Sequence, residues 1–147
     1  MPRADFKCEH RLRVRWAEVD MQKVVFNGHY LTYIDTAVAE YWRAIGLPYP
    51  EGYVERYGND VFLRKASVEY AGSARYEDWL TVYCRTAKLG RTSMTFRFEI
   101  YRDDESSPLV TAELVYVNAE VKSMKPAPLP EDLRARIERF EKLKVEA

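Results

Sequence analysis

The sequence predicts an α+β domain, in which a curved, five-stranded antiparallel sheet wraps around one central helix and a second helix follows at the C-terminus. Three observations predict this fold. Strict alternation of apolar and charged residues near the N-terminus is typical of a strand. Apolar residues then recur at three- and four-residue steps over 30–45, as in a helix. Four further strand-like segments follow with no helix between them, which favours an antiparallel sheet.

The first strand is predicted over residues 6–16. Every odd position from 7 to 15 is charged, whereas the even positions are apolar except His10. Because successive strand residues point to opposite faces, this pattern gives one solvated face and one buried face. Cys8 in this strand and Cys84 in a later one both fall in the apolar phase. We therefore expect two buried thiols rather than a disulfide or a nucleophile.

The central helix is predicted from Tyr30 to about Ile45. Its apolar residues form a wide, aromatic stripe, and polar residues occupy much of the remaining surface. Gly46 ends the helix, and Pro48 lies two positions beyond it. The width of the stripe predicts that something larger than one neighbouring element covers this helix.

The remaining strands are predicted in the second half of the chain, at about 61–70, 78–88, 92–102 and 108–119. Turn residues separate them, which suggests an antiparallel meander. A final charged helix is predicted at about 130–145, with apolar Leu133, Ile137 and Phe140 on one side. No repeat or linker divides the chain, so residues 1–147 are expected to form a single domain.

Composition excludes some classes of function. Lys plus Arg and Asp plus Glu both number 23, so the formal net charge is zero and neither nucleic acid nor an anionic membrane is indicated as a partner. The two cysteines and two histidines lack metal-type spacing, so no metal site is predicted. No signal-like or membrane-spanning segment is evident, and cytoplasmic location is the default expectation.

A pattern that spans about residues 10–120 resembles the 4-hydroxybenzoyl-CoA thioesterase family. The first part is Val14-Arg15-Trp16-Ala17-Glu18-Val19-Asp20-Met21-Gln22-Lys23-Val24-Val25-Phe26-Asn27-Gly28-His29-Tyr30-Leu31. Further similar stretches are residues 64–70, 74–78 and 89–93. The resemblance implies a hotdog fold, an acyl-CoA substrate, and two subunits that pair through the sheet and share each active site. A homodimer or homotetramer is therefore expected.

The same resemblance implies that Asp20 is the nucleophile or the general base of thioester hydrolysis. Its carboxylate could attack the thioester carbonyl or deprotonate a water molecule. The amides near Asn27 to His29, at the start of the central helix, could stabilise the oxyanion, with Asn27 as the preferred donor. His29 is a secondary candidate base. Taken without the family pattern, an Asp before a helix is usually a turn or capping residue.

This chain departs from the family at two positions near Asp20. Lys23 stands where the family usually has Gly, and Asn27 stands where it often has His or Tyr. Lys23 puts a long cation beside the predicted site, where it could alter the backbone turn or the choice of substrate. Asn27 keeps the backbone N–H that the oxyanion site would need.

Coenzyme A carries phosphates, so its binding site should contain cations and hydrogen-bond donors. The candidates, offered as a group, are Arg64, Lys65, Lys88, Arg91, Thr92 and Ser93. For each residue alone, a solvated position at a strand end is an equally good interpretation. No further cofactor is expected, because coenzyme A is part of the substrate.

Two other functions remain open from the sequence. A hydratase or dehydratase of the same fold would act on acyl thioesters but would usually use a His–Asp or His–Glu pair. A non-catalytic oligomer that binds acyl-CoA is the second alternative, and Lys23 is the feature that favours it.

Overall fold

A computed structural model describes residues 3–142 as five strands and two main helices. In chain order these are β1 (Cys8–Arg13), α1 (His29–Ala44), β2 (Asn59–Tyr70), β3 (Trp79–Leu89), β4 (Ser93–Arg102), β5 (Val110–Glu120) and α2 (Glu131–Glu141). Two short 3-10 turns, Arg3–Asp5 and Trp16–Glu18, and one π-type turn, Glu51–Glu55, complete the elements. The predicted α+β class and the predicted order of elements are confirmed.

The observed boundaries differ most from the predicted ones at the first strand. It was predicted to reach residue 16 but ends at Arg13. Val14 instead donates its N–H to the carbonyl of Asp78 (2.9 Å), and the 3-10 turn Trp16–Glu18 follows. The alternation of apolar and charged residues in the sequence extends to residue 16, whereas the pairing of β1 with β3 stops at Arg13. At the other end, the described part of α2 reaches Glu141, and the last residues of its predicted span, 143–145, lie outside the described residues.

The sheet is antiparallel with strand order β1-β3-β4-β5-β2. The prediction of a four-strand meander is correct for β3, β4 and β5 but wrong for β2. β1 pairs with the outer edge of β3, from Cys8 opposite Cys84 to Arg13 opposite Trp79. Since that edge is occupied, β2 pairs with β5 at the far side of the sheet. Residues 71–78 therefore cross from β2, at one edge of the sheet, to β3, next to the strand at the other edge, and do not form a hairpin.

The concave face of the sheet packs against α1. Alternate residues of β4, namely Met94, Phe96, Phe98 and Ile100, are fully buried, as the sequence alternation requires. On α1 the apolar stripe is buried in the same core. Burying each such side chain contributes about 1.5–3 kcal/mol. The aromatic residues Tyr41, Trp42 and Tyr53 belong to this core rather than to an open pocket.

The C-terminal helix closes the core through Leu133 and Ile137, which are both fully buried. Its last residue, Glu141, is also buried and contacts β3 at Thr86, just beyond the pairing of Cys8, the first residue of β1, with Cys84. The Glu141 carboxylate accepts hydrogen bonds from the Tyr41 hydroxyl (2.6 Å) and from the backbone N–H of Thr86 (2.9 Å). It thereby satisfies an amide at a part of the β3 edge that no strand within residues 3–142 covers.

The two cysteines are free and buried, as predicted. Burial is the main cause that raises the pKa of the Cys8 thiol to about 12, and it also raises the pKa of Cys84. Thiols with such values remain protonated at neutral pH and are poor nucleophiles. Within residues 3–142, none of the helices is long and apolar enough to cross a membrane.

Candidate active site

Asp20 begins a tight turn between two short bridging segments. Val19 pairs with Val25, and the Asp20 N–H donates to the Val24 carbonyl (3.0 Å). The Asp20 side chain also supports this turn, because its Oδ1 accepts a hydrogen bond from the Gln22 N–H (2.8 Å). Among the described residues, no donor is bonded to Oδ2. The interpretation of Asp20 as a turn residue is therefore correct, and one carboxylate oxygen still remains uncommitted.

Glu18 attaches this turn to the central helix. Its side chain is buried and accepts hydrogen bonds from the Tyr33 hydroxyl on α1 (2.9 Å) and from the backbone N–H (2.8 Å) and Nε (3.0 Å) of Arg15. Burial alone would raise the pKa of Glu18, but these hydrogen bonds outweigh it and hold the pKa below 4.5. The Glu18 carbonyl also accepts the Phe26 N–H (2.9 Å). Glu18 thus positions Asp20 without contacting it, a role the sequence interpretation missed.

The half-buried Asp20 carboxylate lines a cavity of about 350 Å³ together with Trp16, Val19, Lys23 and Tyr76. Cavities of this size take small ligands or part of a larger one. The Trp16 and Tyr76 rings meet edge to face, with centroids 5.4 Å apart. Trp16 is nevertheless 76% exposed and Tyr76 46% exposed, which is unusual for large aromatic side chains. The cavity therefore offers apolar walls beside a carboxylate and an ammonium group.

The start of α1 is joined to the Asp20 loop through Phe26, whose N–H donates to the Glu18 carbonyl. The His29 N–H donates to the Phe26 carbonyl (2.9 Å), so the expectation that this amide is free for an oxyanion is wrong. Asn27 and Gly28 are exposed residues, and their amides donate to no acceptor within residues 3–142. They are the remaining candidate donors. The His29 ring packs edge-on against Phe26, with 5.7 Å between the centroids. No hydrogen bond joins the Asp20 carboxylate to any of these described amides.

The predicted coenzyme A residues lie toward the other end of the sheet. Lys65 is opposite Val115, Val115 opposite Thr95, and Thr95 opposite Lys88. These four residues form one row, in which Lys65 and Lys88 are three strand spacings, roughly 14 Å, apart. Lys88 is nine residues along β3 from Trp79, roughly 30 Å from the end of the strand that adjoins the Asp20 cavity.

The turn after β3 is held by the segment that precedes α2. The Leu129 N–H donates to the Arg91 carbonyl (2.9 Å), and the Arg134 guanidinium donates to the Gly90 carbonyl. The Arg91 side chain is exposed, while Thr92 and Ser93 are half-buried. Within the described part of the chain, none of the predicted cations forms a salt bridge; these are Arg64, Lys65, Lys88 and Arg91. Within one protomer, these cations are therefore free of salt bridges to described residues but lie far from Asp20.

A carboxylate that lines a cavity on the loop before the central helix, together with a five-stranded sheet packed on that helix, agrees with the family resemblance of the sequence. A family model described as the thioesterase superfamily matches residues 22–109, more than half of the chain. The chain belongs to the thioesterase superfamily. The chemical class of its reaction is thioester hydrolysis.

Individual relatives agree with this assignment. The chain is 28% identical over 124 residues to the acyl-CoA thioester hydrolase YbgC of Escherichia coli, a match that covers 84% of this chain and 90% of that protein. A solved structure of a thioesterase from Thermus thermophilus, complexed with coenzyme A and zinc, is 26% identical. It superposes with a TM-score of 0.81 and covers 96% of this chain and 98% of its own.

A third protein of the superfamily shares the fold at lower identity. The 1,4-dihydroxy-2-naphthoyl-CoA thioesterase Slr0204 from Synechocystis is 21% identical, with a TM-score of 0.79. The match covers 88% of this chain and 94% of that one. The five-stranded sheet around a long helix is therefore the hotdog fold that the resemblance implied.

Proposed function

We propose that this chain is a cytoplasmic acyl-CoA thioesterase that hydrolyses the thioester of an acyl- or aryl-CoA, with Asp20 as nucleophile or general base. The observation that carries the proposal is the half-buried Asp20 carboxylate, which lines a cavity with apolar walls and keeps one oxygen uncommitted. The names of the acyl-CoA thioester hydrolase relative and of the coenzyme A complex support the choice of substrate.

The chemistry requires few groups. In the general-base route, the free oxygen of Asp20 takes a proton from water, and the water oxygen bonds to the thioester carbonyl carbon. In the nucleophilic route, the carboxylate itself attacks that carbon and water later hydrolyses the resulting anhydride. In both routes the carbon–sulfur bond breaks, and coenzyme A leaves as the thiol after it takes up a proton. The amides of the exposed residues Asn27 and Gly28 are the proposed donors to the carbonyl oxygen.

The chain is proposed to pair with a second copy through β2. β2 is a twelve-residue edge strand whose outer side pairs with no described residue, and Phe62, Leu63 and Tyr70 on it are exposed. The unpaired N–H and C=O groups of a long edge strand can pair with another chain. Antiparallel pairing of β2 with the same strand of a second copy would exchange the two ends. Arg64 and Lys65 lie at the middle of β2, so in such a pair they would lie beside the same residues of the first copy.

The reaction is tested with a panel of short, long and aryl acyl-CoAs, in which a thiol reagent detects free coenzyme A. Thiol release that depends on the purified chain is the expected result. Enoyl-CoA and 3-hydroxyacyl-CoA are assayed in parallel for a change in enoyl absorbance. A change in absorbance without thiol release would indicate a hydratase, and acyl-CoA binding without either signal would indicate a non-catalytic binder.

We expect the chain to sediment as a dimer of about twice its 17.3 kDa mass, or as a tetramer built from that dimer. The double variant Phe62→Lys, Leu63→Lys should shift the mass toward that of one chain, because exposed lysines on an edge strand oppose pairing. Met124→Lys is the control, since Met124 is 58% exposed but lies outside β2. A wild-type mass of one chain at micromolar concentration would contradict pairing through β2.

A further inference from the structure

Lys23 adopts a backbone conformation that lysine seldom takes. Its φ angle is +66°, in the left-handed region, and its N–H donates to the Asp20 carbonyl (2.9 Å). A side chain with a Cβ costs roughly 1–2 kcal/mol in this region, whereas glycine adopts it freely. The turn itself would therefore form more easily with glycine. A contribution from the lysine side chain would explain why lysine occupies this position.

The Lys23 side chain lines the same cavity as Asp20. Within residues 3–142, no carboxylate lies within salt-bridge distance of its ammonium group. The other walls of the cavity are Trp16, Val19 and Tyr76. Lys23 is exposed, so its cation is available to an anion that enters the cavity beside these apolar walls.

The position of Lys23 limits which part of the substrate it can reach. A hydrogen bond from residue 23 to residue 20 defines a β-turn, so the two Cα atoms lie less than about 7 Å apart. If Asp20 acts on the thioester carbonyl, the Lys23 ammonium, on its flexible four-carbon stem, can reach groups a few bonds away from that carbonyl. On the sulfur side, the long pantetheine arm is neutral, and the phosphates of coenzyme A lie beyond it. The anion within reach is therefore on the acyl side.

On the basis of the proposed function, we infer that Lys23 is a specificity-determining residue that selects acyl groups bearing a carboxylate. Asp20 alone would repel such an acyl group. Lys23 brings the formal charge of the cavity to zero and offers a charge-assisted hydrogen bond. The exposed Trp16 and Tyr76 rings cover the carbon skeleton between the thioester and the carboxylate.

The test compares glutaryl-CoA with hexanoyl-CoA, whose acyl groups are similar in length and differ chiefly in the terminal charge. The measured quantity is the ratio of kcat/KM for glutaryl-CoA to kcat/KM for hexanoyl-CoA. We expect wild type to favour glutaryl-CoA by about tenfold or more, and Lys23→Met to lower the ratio by a similar factor. Lys23→Arg, which keeps the cation, should retain most of the preference.

Lys122→Met is the matched control, because Lys122 is exposed beyond β5 and does not line the cavity. Its ratio should equal that of wild type. An equal loss of kcat/KM on both substrates in Lys23→Met would assign Lys23 to the oxyanion and overturn its role in specificity. Wild-type hydrolysis of both substrates with equal efficiency would also overturn that role, while the proposed function would stand. Absence of thiol release from every acyl-CoA would instead overturn the proposed function and this inference with it.

Discussion

Asp20→Asn is expected to lower kcat for acyl-CoA hydrolysis by roughly 10²–10⁴-fold, the usual contribution of a positioned general base. Asparagine keeps the side-chain oxygen that accepts the Gln22 N–H, so the turn should form as before. It removes the negative charge and the basic oxygen that either route of hydrolysis requires. Thiol release under saturating substrate measures the effect, and thermal unfolding checks that the fold is retained.

Asp60→Asn provides a matched control for this substitution. Asp60 also accepts a backbone N–H, that of Val61 (2.7 Å), together with the Tyr49 hydroxyl (2.8 Å). Within one protomer it lies at the opposite end of the sheet from the Asp20 cavity, opposite Ala119. Its replacement should leave kcat within a factor of two or so, as expected for a surface substitution remote from the site. Undiminished turnover by Asp20→Asn would remove Asp20 from the mechanism.

Glu141→Ala is expected to cause the largest loss of stability among the substitutions considered. It leaves the Tyr41 hydroxyl without its acceptor at 2.6 Å and the Thr86 N–H without its acceptor at 2.9 Å. Each buried polar group left unpaired costs about 1–3 kcal/mol in the free energy of unfolding. Urea unfolding measures the loss. Glu138→Ala, one turn earlier and exposed on the same helix, should change stability by less than about 0.5 kcal/mol.

The same carboxyl predicts a dependence of stability on pH. Burial raises the pKa of Glu141 above 4.5, and it outweighs the hydrogen bonds from Tyr41 and Thr86 and the nearby cations Arg85 and Lys7. A folded-state pKa above the unfolded value means that the stabilisation is complete below pH 4.5 and is lost as pH rises through the folded pKa. Within that window the slope approaches about 1.4 kcal/mol per pH unit.

Glu141→Gln isolates this dependence, because glutamine does not titrate. The difference in unfolding free energy between wild type and Glu141→Gln should change across the window above pH 4.5 and become constant at higher pH. Curves that run parallel from pH 4 to pH 8 would show that ionisation of Glu141 does not differ between the folded and unfolded states.

Local patterns in the sequence were sufficient to predict most elements of the fold. The alternation Met94, Phe96, Phe98, Ile100 predicted both the strand β4 and its buried face, because alternate strand residues point to the same side. The apolar stripe between Tyr30 and Ile45 predicted the central helix to within one residue at each end. The placement of β2 was not predicted, since pairing depends on which strand edge remains open after β1 has paired with β3.

The site was predicted in part. The family pattern identified Asp20, but nothing in the local sequence indicated that Trp16 and Tyr76, which are sixty positions apart, form the wall of one cavity. Arg15 and Glu18 have the spacing of a helical turn, whereas the hydrogen bond that the Tyr33 hydroxyl donates to Glu18 spans fifteen residues. Such long-range contacts form only when the loop packs on the helix, so local sequence patterns do not predict them.

The sequence by itself determined which residues alternate between core and solvent, where the central helix begins and ends, and the family to which the chain belongs. These properties depend on each residue's own preference for burial and on short-range hydrogen bonding, which local spacing records. Only the tertiary structure decided that β2 is an open edge, that the His29 amide is already bonded, and that Lys23 shares a cavity with Asp20. Each of these depends on segments distant in the chain that compete for the same hydrogen-bond partners and the same space.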